Sequence, residues 1–312
     1  MHTIFIDDHG RIRSGWRALI FVLLLAVFTI GMSAFIGSAA DRLGFRARLD
    51  GRAGFAYNSA ISLIAAAAAS FVAVRMMDRL PFRSIGASFT AGWLRHFVFG
   101  LGIGTATLAA ALIPAIAYGS LRFSLTDLAA SSLAEPLLTS LAVMGLASAF
   151  EELLFRGYFL QTFMRSGLTW LAILMTSGFF GLVHLGNPDA GPISTTNTML
   201  AGLWFAAAYI RTRDLWFAWG IHLAWNFAQG AIFGIEVSGL TQIARPSVLV
   251  ESDGGPVWLT GGEYGIEASI GCTAAILISI AAIRYLPCLE PDPELVEMTS
   301  ASEEATITRS VS

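Results

Sequence analysis

Six side chains in the second half of this chain have the types and the spacing to activate a water molecule. Glu151 and Glu152 stand side by side, with Arg156 four residues after Glu152; His184 ends the run Phe180-Gly181-Leu182-Val183-His184; His222 and Asn226 are again four apart. A carboxylate can take a proton from water, an imidazole can hold or donate one, and an amide can donate to an oxyanion. Hydrolysis of an amide needs those parts: an activated nucleophile, a polarised carbonyl and a donor for the leaving amine.

Residues four apart stack on one face of a helix, whereas adjacent residues point about 100° apart. The spacing predicts that Arg156 pairs with Glu152, and that Glu151 is turned away from that pair and left for chemistry. The competing reading makes both glutamates structural. For His222 and Asn226 the competing reading is an interhelical hydrogen-bond pair, worth under about 2 kcal/mol. Three such polar sites in three apolar segments form a stronger joint signal than any one alone.

Two versions of the chemistry stay open. In one, His184 and His222 bind a divalent metal, zinc before others, with Asn226 or a carboxylate completing the shell; the metal lowers the pKa of its water towards 7 while Glu151 removes the proton. In the other, Glu151 activates water with no metal, and a histidine with Asn226 stabilises the oxyanion.

The elements that position these residues are read from composition. The chain is 55% hydrophobic and only 13% charged, against about a quarter charged in soluble domains, so an all-α bundle of transmembrane helices is expected. Apolar runs long enough for a ~30 Å hydrocarbon core occur near 16–40, 55–77, 93–119, 137–165, 168–186, 197–211, 215–235 and 265–286, about eight spans in all. A charged group at the centre of such a span costs roughly 2.5 to 3.5 kcal/mol, which makes the Glu-Glu-Arg cluster a functional candidate by default. No linker or repeat divides the chain. Residues 1–15 read as a cytoplasmic segment, 16–286 as one membrane domain, and 287–312, with six acids and one arginine, as a disordered acidic tail.

All 19 basic residues are arginine, and N-in, C-in topology puts 13 of them on inside segments against 6 outside. The run from Ala18 is too long for a signal-peptide core and reads as a retained anchor. Cys272 and Cys288 are sixteen residues apart, ~24 Å at helical rise, too far for a disulfide. His2, His9 and His96 read as surface residues.

A ruler along the chain tests whether His184 can meet Glu151. With a hairpin turn at Ser166-Gly167, Glu151 lies 15 residues before it and His184 17 after, so both sit ~22 to 26 Å from the turn. They share a depth. Gly100 and Gly104 are read as a close helix contact, and Pro114 as a kink. The long break from Glu236 to Tyr264 exceeds ordinary connections, and it can lid a cavity or equally run as a mobile surface loop.

The motifs Glu-Glu-x-x-x-Arg, Phe-x-x-x-His and His-x-x-x-Asn, in this order on membrane spans, resemble those of the CPBP (CAAX protease and bacteriocin-processing, or Abi) family of intramembrane endopeptidases, which includes the Ras-converting prenyl-protein proteases. The likeness covers roughly 137–232 and extends loosely to Arg13-Ser14-Gly15-Trp16-Arg17 and Leu259-Thr260-Gly261-Gly262-Glu263-Tyr264-Gly265. It implies an eight-helix fold with the site in a cavity between the fourth, fifth and seventh spans. It also implies that Glu151 activates water, that Glu152 and Arg156 support it, and that His184, His222 and Asn226 complete the centre. A peptide or lipid-linked protein is the implied substrate, with membrane lipids around the chain and no nucleic acid. The arginine-only composition points to a bacterial inner membrane and away from the prenyl-CAAX role. Two rivals follow from the same residues: a scaffold or immunity protein of this fold, and an ion-coupled carrier.

Overall fold

A computed structural model describes residues 2–7, 10–44, 51–287 and 289–300, without the side chains of residues 2 and 3. The principal helices are α1 (Ser14–Arg42), α2 (Gly51–Ala73), α3 (Trp93–Ala117), α4 (Ala130–Glu152), α5 (Leu160–Met164), α6 (Thr169–Val183), α7 (Pro192–Thr212), α8 (Leu215–Phe227), α9 (Ile270–Tyr285) and α10 (Pro293–Thr299). The architecture is the expected all-α polytopic bundle. Five stretches are long and apolar enough to cross a membrane: Ser14–Arg42, Gly51–Asp78, Trp93–Ala117, Ala130–Met164 and Thr169–Gly186. The remaining expected spans correspond to α7, α8 and the 16-residue α9, which lie below that threshold.

Small residues set the tightest contact of the bundle. A methyl group added at Gly100 would stand 2.5 Å from the Phe217 carbonyl oxygen, and one at Gly104 only 2.3 Å from that of Ile221. α3 and α8 therefore touch backbone to backbone, as the glycine spacing predicts, and this contact fixes the depth of His222 on α8. Pro114 stands in the last turn of α3, which continues to Ala117.

Two helices that carry the chemistry lose α geometry just after it. α4 passes at Glu152 into a π-helical segment, Leu153–Phe159, with Gly157 at φ −69°, ψ −123°; α8 passes into a second, Ala228–Ile232. Such π segments gather at functional sites because the widened turn re-aims neighbouring side chains.

Three further features lay outside the sequence reading. A two-stranded antiparallel sheet pairs β1 (Leu121–Leu125) with β2 (Leu249–Asp253), Phe123 opposite Glu251, and joins the α3–α4 connection to the long loop after α8. His96, expected at the surface, is buried: its Nδ1 lies 2.5 Å from Asp214 Oδ2, and Asp214 also caps α8 by accepting from the Trp216 and Phe217 amides. The partners are 118 residues apart, so no local spacing could announce the pair. Within the tail expected to be structureless from 287, Pro293–Thr299 forms α10, with Leu295 and Thr299 buried and Glu294 paired with Arg83. His9, Cys288 and residues 301–312 lie outside the described residues.

Candidate active site

A cavity of about 440 Å³ opens among α4, α6, α7, α8 and α9, within the range of ordinary ligand pockets. Its walls are mostly apolar, and Glu151, His184, His222 and Asn226 all line it. The matched depth of Glu151 and His184 read from the hairpin ruler thus brings them to one chamber. α7 supplies more of the wall than the sequence suggested, through Asn197, Thr198, Ala201, Trp204 and Phe205. Val237, Ser238, Leu240 and Ile243 of the long loop form part of its wall, in the position of a lid.

At the centre, four side chains form a line of contacts. Arg156 Nη1 donates to Glu152 Oε1 at 3.2 Å, and the same oxygen lies 2.9 Å from His222 Nδ1. On the other side of the ring, His222 Nε2 is 3.8 Å from Glu151 Oε2. Glu152 and Arg156 are 1% and 0% exposed, whereas the Glu151 side chain keeps 25%. The expected pairing of Glu152 with Arg156 is present, and Glu152 serves His222 as well.

Arg156 divides its donors. Its Nη2 reaches the Gly202 carbonyl at 2.8 Å, so the guanidinium bridges α7 and Glu152 instead of forking onto the carboxylate. Its charge sits 4.8 Å from the Phe180 ring centre and 5.0 Å from that of Phe205, a desolvated cation–π contact. Phe205 in turn stacks on His222 at 4.5 Å with 17° between planes. The imidazole is therefore fixed in plane by Phe205 and in direction by Glu152.

With Nδ1–H given to Glu152, Nε2 of His222 is an acceptor. His184 is held in the same way, its Nδ1 2.6 Å from the Phe180 carbonyl oxygen. An imidazole with one nitrogen tied to a carboxylate or carbonyl is the usual second shell of a metal ligand. The ligand count is a different matter, because a catalytic zinc takes three protein ligands. Among the described residues no three His, Cys, Asp or Glu side chains are gathered closely enough to hold an ion. His184, His222 and Asn226 supply two imidazoles and one amide, a weaker set than three imidazole or thiolate ligands would be.

The sequence reading also missed Glu267. It precedes α9 and lines the cavity, with Oε2 accepting from the Ser238 amide at 2.5 Å and Oε1 from the Ser238 hydroxyl at 3.2 Å. Asn187 donates to the Ser238 carbonyl and Asn197 to the Glu267 carbonyl, so both arms of the lid are tied to α7 and to the end of α6. The only hint in the sequence was an acid just before an apolar run.

Residues 133–228 match the family model described as Rce1-like, Type II CAAX prenyl endopeptidase Rce1-like. All six candidate residues fall inside that stretch. Among curated proteins no match to the chain is found.

Proposed function

We propose that the cavity is the active site of an endopeptidase that cleaves within the membrane, with Glu151 activating the attacking water, a reading supported by the match of residues 133–228 to the Rce1-like Type II CAAX prenyl endopeptidase family model. The observation that carries this reading is the line Arg156, Glu152, His222, Glu151. Glu151 Oε2 and His222 Nε2 lie 3.8 Å apart, and the attacking water would be held between these two acceptors, giving one hydrogen to each. Its lone pair is then turned to a substrate carbonyl. Glu151 takes the proton as the oxygen attacks, and returns it to the leaving amine as the tetrahedral intermediate collapses.

Asn226 contributes differently. It lines the cavity one turn beyond His222, and its amide is the donor for the oxyanion. Glu152 and Arg156 touch neither water nor substrate; they are positioning residues for His222. No step passes through a metal. The substrate is a peptide or a lipid-linked protein in extended form, admitted where the lid meets the helices. The count of inside arginines supports cytoplasmic termini in a bacterial inner membrane.

The test is profiling of protein N-termini in membranes from cells lacking the chain, complemented with wild type or with Glu151→Gln at matched abundance. A neo-N-terminus seen only with wild type is expected. Equal rescue of a phenotype by both forms, with no difference in N-termini, would overturn the protease reading in favour of the scaffold.

A further inference from the structure

We propose that Glu267 is a specificity-determining residue, selecting substrates that carry a basic side chain within the few residues the cavity holds. The inference rests on the protease reading and adds its substrate class. Formal charge at the cavity wall is one-sided: Glu151 and Glu267 line it, and no arginine does. Glu151 has His222 beside it, and the more deeply placed Glu152 has Arg156. Among the described residues no ion pair reaches Glu267; its hydrogen bonds come from Ser238, with Gln229 and His184 as weaker neighbours.

A carboxylate withdrawn from water without a cation carries an uncompensated desolvation cost. A guanidinium or ammonium brought in by the substrate would relieve that cost through a charge-assisted hydrogen bond. The low-dielectric walls concentrate the effect, and they make an acidic substrate residue at the same place unfavourable. Glu267 also sits where substrate arrives, since Ser238 and Leu240 of the lid line the same wall.

The test uses full-length protein in phosphatidylcholine–phosphatidylglycerol vesicles. Quenched fluorescent peptides spanning a cleavage site are made in sets identical except for Arg, Gln or Glu at one scanned position. With wild-type protein, one position at which Arg exceeds Gln by about ten- to a hundredfold in kcat/KM, with Glu lowest, is expected. In Glu267→Gln, which retains an acceptor for the Ser238 amide, that preference should fall to within about threefold while cleavage of the Gln peptide persists. Glu151-dependent cleavage with no charge preference at any position overturns the inference and leaves the protease reading intact. Equal loss on all three peptides in a folded Glu267→Gln protein also overturns it. Should wild type cleave none of the peptides, binding of the same sets to Glu151→Gln decides: tighter binding of the Arg form that disappears in the double variant Glu151→Gln/Glu267→Gln supports selection, and equal binding refutes it.

Discussion

Glu152→Gln separates the role of Glu152 from that of Glu151 with the smallest change in shape. In the native site Glu152 Oε1 accepts from two donors, Arg156 Nη1 at 3.2 Å and His222 Nδ1 at 2.9 Å. A glutamine is isosteric and neutral, so two consequences follow. Arg156, fully buried, loses its counter-charge; breaking a buried pair by removing one partner costs about 3 to 5 kcal/mol. The lower end applies here, because Arg156 keeps the Gly202 carbonyl and the faces of Phe180 and Phe205. The second consequence is chemical. The glutamine amide can present N–H to His222 Nδ1, which forces the proton to Nε2 and removes the acceptor that steadies the water. In the serine-protease triad the comparable aspartate-to-asparagine change leaves geometry intact and lowers kcat about 10⁴-fold by the wrong tautomer.

The expected result is therefore a fall of about 10³- to 10⁴-fold in kcat with KM little changed, beside a loss of about 3 kcal/mol in stability. The assay is turnover of an N-terminomics-derived peptide in vesicles, normalised to folded protein, with thermal unfolding measured separately. A folded Glu152→Gln enzyme within about tenfold of wild type would refute the claim that Glu152 sets the His222 tautomer.

Arg156→Lys should cost about 2 kcal/mol in stability and at least tenfold in activity, since one ammonium cannot serve both Glu152 and the Gly202 carbonyl or stack between two rings; wild-type melting and turnover in that variant would remove its supporting role. Exhaustive dialysis against a chelator should leave turnover unchanged, and a loss restored by added Zn²⁺ would replace the proposed mechanism with a metal-assisted one. The lid is expected to loosen at alkaline pH: burial, with Glu236 and Asp253 nearby, pushes the Glu251 carboxyl up to about 7 from its ordinary 4.5. The folded lid then binds the proton more tightly than the open chain, so this stabilisation is complete below the ordinary value and is lost as pH rises through about 7. Hydrogen exchange across residues 246–264 at pH 5.5 and 8, corrected for intrinsic rate, should show it, and Glu251→Gln should be flat; equal pH dependence in both proteins would refute it.

Features set by local period were legible in the sequence. The i, i+4 pairing of Glu152 with Arg156, the shared depth of Glu151 and His184, and the glycine contact of α3 with α8 each follow from helical rise or from small-residue spacing. Features set by contacts between distant segments were not. Glu152 and His222 are 70 residues apart, and His96 and Asp214 are 118. The π segments that follow Glu152 and Phe227 each hold a single glycine, Gly157 and Gly230, a signal too common in membrane helices to announce them, and α10 was hidden in an acidic tail because its buried face is only Leu295 and Thr299.

The buried charges of the site are better understood as a positioning device than as a source of stability. Taking Arg156, Glu152 and the His222 ring out of water costs several kcal/mol per ion, and well-packed apolar residues in their place are often as stable or more so. What apolar residues cannot do is hold an imidazole in one tautomer. For that task the acceptor must remain a carboxylate, because a neutral acid offers its own hydrogen to Nδ1. A carboxylate 1% exposed carries a desolvation cost that a cation standing against it offsets. Arg156 supplies the cation, and its own desolvation is offset by the Gly202 carbonyl and by two aromatic faces, one of which, Phe205, is the ring stacked on His222. Each member of the cluster thus answers a cost created by the next, and the chain of costs ends at its one partly exposed carboxylate, Glu151.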